Sequence, residues 1–593
     1  MLSFKFISIT YALLLVVSGT FGATVVPPPL IQTLDATNVG PEFKVVREEN
    51  ATRNENRSTD QGTKLNEGIE DADFWYKVGT NQLKKTIKAA QKSKDDAYTK
   101  KAKNIIIFIG DGMGLTTITA GRIYKGQKLK QGNGEETVLS FDEFPHTGLA
   151  KTYNVDMQVP DSAATATAIF CGSKTHYGAI GMDITRSKTD AKQGRLRSLM
   201  DWAQAENKRT GIVTTTRITH ATPAATYANI YHRDWECDGK VPPESVGKHV
   251  DIARQLVESA PGNRFNVILG GGLSPMGARN ENEIRSTRFE GDTEKICSRS
   301  DGRNLAQEWL GKGRLNDSRI FVQTREQLMN LNLKRVDHLM GLFRNNHITY
   351  SVARERGEPS LKEMTEAAIE VLERGSDSKG YVLMVEGGRI DQAHHQNYAR
   401  AAMQEVLEFD MAIEAALKAT DASETLIIVT ADHSHSVTLN GYPKRGADIL
   451  GFAARRNDLM TYETITYANG PGYWEHLANG SRGNDSPIFW RPLEQLTEEQ
   501  RLSSTYRHLA ALPLKDESHG GEDVIVFANG PGSTLVRGVF EQNYLAYVMS
   551  YAGCMGPAKE LDETCGNGIQ SGAGAISRHL HPLLLLILMQ VFK

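Results

Sequence analysis

Three separate apolar runs in this chain each lead into acidic or histidine side chains. The runs cover residues 105–109, 381–385 and 426–429, and Asp111 follows the first of them. Short apolar runs of this kind are typical of buried parallel strands. Ligand sites in open α/β sheets form at the carboxyl ends of such strands. Three strands that end in carboxylates and imidazoles therefore predict several metal ions at one edge of a sheet.

The expected architecture follows from the alternation of strand-like and helix-like segments over residues 104–435. Helical stretches such as 198–206 and 361–374 separate the apolar runs. This alternation predicts an α/β fold, a three-layer sandwich whose central, mostly parallel sheet is flanked by helices. Residues 437–512 break the rhythm with turns rich in Gly and Pro, so we expect an inserted, crown-like surface subdomain there. The strand pattern returns at residues 524–527.

The bulk composition excludes one class of function. The chain has 593 residues and a formal net charge of -3, which argues against nucleic acid as a partner. Its charged fraction of 23% and hydrophobic fraction of 40% are those of an ordinary globular protein. We therefore expect a large folded body with no nucleic-acid role.

The N-terminal residues resemble a secretion signal. Lys5 precedes an apolar stretch over residues 6–17, which small residues follow up to Ala23. This layout predicts a cleaved signal peptide over residues 1–22, because the apolar core is short for an uncleaved transmembrane anchor. Residues 31–68 are polar and rich in Asn, Glu and Thr, so we expect the N-terminal segment 23–68 to be disordered.

The C-terminal residues have the layout of a signal for a glycosylphosphatidylinositol (GPI) anchor. Small residues around Ser571 precede a short polar spacer and an apolar tail from Leu583. This pattern predicts lipid attachment at Ser571, removal of residues 572–593 and a place on the outer leaflet of the plasma membrane. A plain amphipathic end helix is the alternative. Between the two signals we expect one domain over residues 69–555 and a stalk over residues 556–571.

A secreted chain can form disulfides, and five cysteines leave one unpaired. Cys554 and Cys565 lie close in sequence beside glycines, which suits the closure of a small loop. Cys237 and Cys297 are the other expected pair, and Cys171 in its apolar setting is expected to be a buried free thiol. Sequons for N-glycosylation begin at Asn50, Asn56, Asn316, Asn479 and Asn484.

The glycine-rich residues 110–114 after the first apolar run have two interpretations. A dinucleotide-binding loop is the poorer one, because the third glycine is misplaced and no acid follows at the expected distance. Asp111 inside the loop would also repel a pyrophosphate unless a cation intervened. A metal-binding carboxylate is the better interpretation of Asp111.

Ser162 precedes a run of small residues, Ala163 to Thr167, that is compatible with a helix. A serine at a helix N-terminus lies in the positive field of the free N–H groups, and an ordinary N-cap is the alternative. The nearest histidine, His176, has no carboxylate partner in evidence. Activation of the Ser162 hydroxyl by a metal is therefore more plausible than a Ser-His-Asp triad.

The remaining candidate ligands fall into two chemical sets. Carboxylate with imidazole most often means zinc, and such sets occur at Asp391 with His395 and at Asp432 with His433. An oxygen-only set suits magnesium, and it is offered by Asp111, Thr222 and Glu386.

Two residues are ambiguous from the sequence alone. Arg233 lies beyond a strand-like run and is suited to bidentate phosphate binding, but a surface cation is the alternative. His519 precedes the returning strand, where an isolated histidine is usually an ordinary surface or core residue.

Four motifs in combination resemble the alkaline phosphatase family. They are the Asp111 loop, the signature at residues 161–167, and the segments at residues 385–391 and 430–435. The resemblance covers roughly residues 70–555, and both termini resemble those of GPI-anchored animal members, including the membrane-bound insect type. It implies hydrolysis of phosphate monoesters through a phosphoserine, two zinc ions, one magnesium ion and a homodimer.

The family resemblance also implies a role for each matching residue. Ser162 becomes the nucleophile, Arg233 binds the phosphate, and His220 lies near the magnesium. The first zinc is assigned to Asp391, His395 and His519. The second zinc is assigned to Asp111, Asp432 and His433. The magnesium is assigned to Asp111, Thr222 and Glu386.

Three departures from the vertebrate members are evident, and one is Gln392 in place of a His next to Asp391. Those members carry a calcium site with an acid directly after a Gly-Leu-Phe segment, whereas Arg344 follows Phe343 here. Glu358 remains as an acid, but the cation at position 344 argues against calcium. The vertebrate mid-chain disulfide is also absent, which leaves Cys237 to pair with Cys297.

Three other functions compete with a phosphomonoesterase. Sulfatases of the same superfamily need a nucleophile near Pro and Arg, and the residues after Ser162 contain neither. A phosphodiesterase would more often use Thr and would not need Arg233. A catalytically idle surface receptor on a lipid anchor would have lost a ligand, and every ligand position here is filled.

Overall fold

The computed structural model describes most of the chain between residues 69 and 566. The described ranges are 69–93, 96–279, 296–313, 318–374, 379–453, 461–478, 490–491 and 493–566. The two terminal signals, Ser571 and all five sequon asparagines lie outside these ranges.

A ten-stranded sheet forms the centre of the fold, and its strand order is β15-β2-β14-β8-β1-β7-β3-β4-β6-β5. The pairings from β8 to β5 are all parallel, and β14 runs antiparallel to both of its neighbours. The strands of the chain are β1 Asn104–Gly110, β2 His146–Lys151, β3 Arg209–Arg217, β4 Val267–Gly271, β5 Arg319–Val322, β6 His338–Leu342, β7 Tyr381–Glu386, β8 Thr425–Ala431, β9 Ser434–His435, β10 Val437–Leu439, β11 Ile465–Gly470, β12 Ala510–Pro513, β13 His519–Gly520, β14 Val524–Asn529 and β15 Gly538–Glu541.

Helices flank this sheet, which confirms the predicted α/β sandwich. Among them, α9 packs on β3 and β4, and α11 packs against α9 and β1. The helices in the described ranges are α1 Ala72–Lys92, α2 Leu115–Leu129, α3 Ser162–Cys171, α4 Leu199–Ala205, α5 Ala221–Ala224, α6 Ile252–Glu258, α7 Leu305–Gly311, α8 Arg325–Met329, α9 Leu361–Glu373, α10 Arg389–His395, α11 Ala399–Ala419, α12 Gly472–His476, α13 Glu498–Arg501 and α14 Tyr544–Ala552.

The three apolar runs of the sequence become adjacent strands. β1 lies between β8 and β7, with Ile107 aligned to Ile428 on one side and to Met384 on the other. Every residue of the three strands is buried, so their continuous apolar character matches a sheet that is covered on both faces. Because the strands are parallel, their carboxyl ends lie at the same edge.

A second, smaller sheet lies in the segment that interrupts the strand rhythm. β10 pairs antiparallel with β11, and β11 pairs parallel with β12. β9 and β13 form a two-stranded ladder in which His435 faces His519. The chain therefore returns from the small sheet directly to the edge at which β8 ends.

Both expected disulfides are present. Cys237 is bonded to Cys297 and Cys554 to Cys565, while Cys171 is a buried free thiol. Within the described ranges, none of the helices is both long enough and apolar enough to cross a lipid bilayer.

The central strands should dominate the stability of the domain. Leu383 in β7 is fully buried, whereas Leu129 at the end of α2 is 54% exposed. We expect Leu383→Ala to lower the free energy of unfolding by about 2–5 kcal/mol, since it leaves a cavity in a close-packed core. The control Leu129→Ala should change it by less than about 0.5 kcal/mol. Urea unfolding of both variants tests this, and equal effects would contradict it.

Candidate metal centre

Acidic side chains from the three central strands meet at one edge of the sheet. Asp111 follows β1, Glu386 ends β7, and Asp432 follows β8. Asp391 joins them from α10, and all four carboxylates are at most 4% exposed. Burying four carboxylates together is costly unless cations compensate them.

Ser162 reaches the same edge from the first turn of α3. Asp161 caps that helix, because its carboxylate accepts hydrogen bonds from the Ala163 and Ala164 N–H groups, each at 3.3 Å. The Ser162 Oγ lies 3.1 Å from His433 Nε2. The hydroxyl is therefore held at a positively polarised helix end and directly against a candidate ligand.

The first group of candidate ligands, called the Ser162 cluster, comprises Ser162, Asp111, Asp432 and His433. Asp111 Oδ1 lies 3.4 Å from Ser162 Oγ and 3.4 Å from His433 Nε2. Asp432 Oδ2 lies 3.3 Å from His433 Nε2. Four ligands at about 2.0–2.1 Å from a tetrahedral ion stand about 3.4 Å apart. The spacing of the cluster therefore suits a zinc-sized ion.

The second group, called the Asp391 cluster, comprises Asp391, His395 and His519. Asp391 Oδ1 lies 3.4 Å from the Nε2 atoms of both histidines, and those two Nε2 atoms are 3.1 Å apart. Burial opposes the ionisation of Asp391, but the imidazoles of His395 and His435 hold its pKa well below the usual range. The set is again one carboxylate and imidazoles at the spacing of tetrahedral ligands.

Backbone carbonyls fix the tautomers of three site histidines. His395 Nδ1 lies 2.5 Å from the Glu517 carbonyl oxygen. His433 Nδ1 lies 3.2 Å from the Ser434 carbonyl oxygen, and His519 Nδ1 lies 2.8 Å from the Pro160 carbonyl oxygen. A proton on each Nδ1 leaves the lone pair of Nε2 free to face a metal. This outer arrangement is typical of metal-binding histidines.

His435 lies among these groups but has a different role. Its Nε2 is 2.7 Å from Asp391 Oδ1, and its Nδ1 contacts the carboxylate of Glu517. Burial opposes a charge on the ring, but Glu517 and Asp391 raise the pKa of His435 to about 10. Ionised carboxylates only accept hydrogen bonds, so both ring nitrogens must donate. His435 thus contacts both Asp391 and Glu517, and sequence analysis assigned it no role.

The third group, called the Glu386 cluster, comprises Asp111, Thr222, Glu386 and the nearby His220. Within the described part of the chain, Asp111 Oδ2, Thr222 Oγ1 and Glu386 Oε1 are buried without a well-formed hydrogen bond. Burial raises the pKa of Glu386 to about 7, although the hydroxyls of Thr214 and Thr222 act to lower it. Unpartnered buried oxygens of this kind suit a hard cation such as magnesium.

Arg233 reaches the site from the side of Asp161. Its Nη1 donates to Asp161 Oδ2 at 3.1 Å, and its Nη2 lies 3.1 Å from His220 Nε2. The side chain is 21% exposed, so the guanidinium is held in place and still accessible. Asp161, which sequence analysis gave no separate role, therefore orients both α3 and Arg233.

Neighbouring residues that the sequence could not distinguish are separated by the structure. His394 lies in the core, where its ring contacts Thr117 Oγ1 at 3.0 Å and the Tyr467 hydroxyl at 2.9 Å.

Away from the three clusters, Arg344 Nη1 lies 3.5 Å from Glu358 Oε1, and the Thr349 hydroxyl donates to the same oxygen at 2.8 Å. The Glu358 carboxylate is thus paired with a side-chain cation.

A mostly parallel sheet flanked by helices, whose edge gathers carboxylates, imidazoles and a serine at a helix N-terminus, defines an α/β protein with several candidate metal sites. The family model for alkaline phosphatase matches residues 102–555. The chain belongs to the alkaline phosphatase family, whose members hydrolyse phosphate monoesters.

Individual relatives agree with this assignment. The chain is 66% identical to alkaline phosphatase 4 of Drosophila melanogaster over 92% of its length and 89% of the relative. It is 38% identical to a membrane-bound alkaline phosphatase of Bombyx mori over 83% of its length and 87% of the relative. The crystal structure of Thermus thermophilus alkaline phosphatase matches 77% of this chain and 92% of its own, with a TM-score of 0.53 and 24% identity. That structure supports the fold.

The placement of Arg233 predicts a measurable loss of anion binding. Arg233→Ala should weaken competitive inhibition by inorganic phosphate by about 1–3 kcal/mol, the value of a charge-assisted contact. The inhibition constant of Arg233→Lys should lie between those of the wild type and Arg233→Ala, because lysine keeps the positive charge but lacks the planar guanidinium. An inhibition constant that stays unchanged in both variants would mean that Arg233 is only a surface cation.

Proposed function

We propose that this chain is a cell-surface phosphomonoesterase that works through a phosphoserine at Ser162. The observation that carries the proposal is the position of the Ser162 Oγ, 3.1 Å from His433 Nε2 and 3.4 Å from Asp111 Oδ1. In this arrangement the serine completes the tetrahedral spacing of the Ser162 cluster. A hydroxyl so placed is suited to activation by a cation. His433 Nδ1 contacts the Ser434 carbonyl and not a carboxylate, so His433 lacks the acidic partner that a Ser-His-Asp triad requires.

The ligand assignments follow the three clusters. The Asp391 cluster holds one zinc ion, Asp111 with Asp432 and His433 holds the second, and Asp111 with Thr222 and Glu386 holds magnesium. When bound, these ions lower the pKa of coordinated hydroxyls and neutralise charge on the transferring phosphoryl group. Calcium has no place in the proposal, because Arg344 already provides the cation beside Glu358.

The chain's own residues bind the phosphate and supply the nucleophile. The guanidinium of Arg233, held by Asp161, binds two phosphoryl oxygens. The Ser162 hydroxyl gives up its proton as Oγ attacks phosphorus and the bond to the ester oxygen breaks, and the departing alkoxide takes up a proton. Water then gives up a proton as it attacks the phosphoserine, the bond between phosphorus and Oγ breaks, Oγ takes up a proton, and inorganic phosphate leaves. The positive end of the α3 dipole favours negative charge near Oγ.

The proposed location depends on the two ends of the chain. We place the mature protein on the outer face of the plasma membrane through a GPI anchor near Ser571, after removal of residues 1–22 and 572–593. The membrane-bound Bombyx mori relative supports this location. A homodimer, which the family resemblance implies, would carry two lipid anchors, and two anchors hold far better than one.

Replacement of the nucleophile should separate catalysis from metal binding. Ser162→Ala should lower the turnover of an aryl phosphate at least about a thousandfold, because the attacking oxygen is gone. The other three ligands of the cluster remain, so the zinc content should stay the same. The control Ser173→Ala removes another buried hydroxyl, one that contacts only the Lys174 carbonyl, and should keep near-normal turnover. Phosphate trapped on a residue other than Ser162 would disprove the assignment.

Attachment to the membrane can be tested on intact cells. Phosphatidylinositol-specific phospholipase C should release the activity into the medium, because a GPI anchor is the only link proposed. A high-salt wash without the lipase should release none. Activity that stays on the cells after lipase treatment, together with a peptide ending at Lys593 in the mature protein, would show that the anchor prediction is wrong.

A further inference from the structure

Glu517 is a buried carboxylate beside the Asp391 cluster that belongs to none of the three clusters. It lies two residues before His519 and is 1% exposed. Burying a carboxylate without partners costs free energy, so the hydrogen bonds of Glu517 indicate its role. Glu517 forms hydrogen bonds with His395, His435 and Ser436, which lie in or next to the candidate metal centre.

The backbone carbonyl and N–H of Glu517 each form a hydrogen bond with His395. The Glu517 carbonyl accepts a hydrogen bond from His395 Nδ1 at 2.5 Å, and the Glu517 N–H donates to the His395 carbonyl at 2.8 Å. The first contact fixes the ring so that Nε2 faces Asp391 and His519. The second contact fixes the end of α10 that carries the ring.

The side chain of Glu517 holds His435 and, through it, Asp391. One carboxylate oxygen accepts from His435 Nδ1, and the other accepts from the Ser436 N–H at 2.6 Å and the Ser436 hydroxyl at 2.5 Å. The opposite nitrogen of His435 donates to Asp391 Oδ1 at 2.7 Å. A single imidazole therefore links Glu517 to a candidate ligand.

We propose that Glu517 is the positioning residue of the cation site formed by Asp391, His395 and His519. It orients His395 through its backbone and Asp391 through His435. The inference rests on the proposed function, in which that cluster holds a zinc ion. Outer contacts of this kind typically change metal affinity by about 10- to 100-fold when removed.

Two substitutions test the proposal. Glu517→Ala removes both acceptors and should weaken the binding of one zinc equivalent by about 10- to 100-fold, while the other equivalent keeps its affinity. Glu517→Gln keeps one acceptor oxygen, which can serve His435 or Ser436 but not both, so its loss should be smaller. Zinc content after equilibration with a competing chelator measures both variants, and excess zinc should restore turnover.

Glu463→Gln is the matched control for general destabilisation. Glu463 is also 1% exposed and also accepts hydrogen bonds, from the Leu509 N–H at 2.7 Å and the Tyr506 hydroxyl at 2.6 Å. Neither of these partners belongs to the metal centre, so this variant should retain both zinc equivalents.

The outcomes distinguish the inference from the function on which it rests. If both Glu517 variants keep both zinc equivalents at normal affinity, lose both equally, or behave like Glu463→Gln, the positioning role is wrong. Wild-type protein without any zinc would overturn the proposed function and this inference with it. Should Glu517→Ala not fold, Glu517→Gln still decides, because it preserves the volume of the side chain.

Discussion

The whole centre depends on the electrostatics of four carboxylates buried at one sheet edge. Burial and the charges of Asp432, Asp391 and Glu386 raise the pKa of Asp111 well above its usual range. Such a group is stable as a carboxylate only when positive charge is supplied nearby. The chain supplies some of that charge itself, through Arg233 and His435, and metal ions are suited to supply the remainder. The buried edge is thus a candidate site for cations.

The helix that carries Ser162 is adapted to this electrostatic setting. Asp161 satisfies the first N–H groups of α3 and also binds Arg233, so one carboxylate positions both Ser162 and Arg233. Thr165, one turn along the helix, donates to Asp432 Oδ2 at 3.2 Å. The position of the serine is therefore set by the same groups that form the clusters, and it does not depend on a flexible loop.

The small sheet contributes to the centre as well as to the surface. The chain leaves the main sheet after β8 and returns to the same edge before β14, carrying Glu517 and His519 with it. Tyr467 of β11 contacts the ring of His394, the residue that precedes the candidate ligand His395. A segment that looks like a surface insertion in the sequence therefore contacts the residue next to a candidate ligand.

The sequence by itself determined the strands, the chemistry of their ends and most of the candidate ligands. Continuous apolar runs are local patterns, and burial on both faces of a parallel sheet is the physical reason that they become β1, β7 and β8. Only the tertiary structure decided which neighbouring side chain faces the site. His395 points into the Asp391 cluster while His394 enters the core, and one residue of helical rotation separates them. Likewise, His519 reaches the centre because β14 runs antiparallel, which puts its beginning beside the end of β8. The contacts of His435 and Glu517 were beyond the sequence, because they join segments that are distant along the chain.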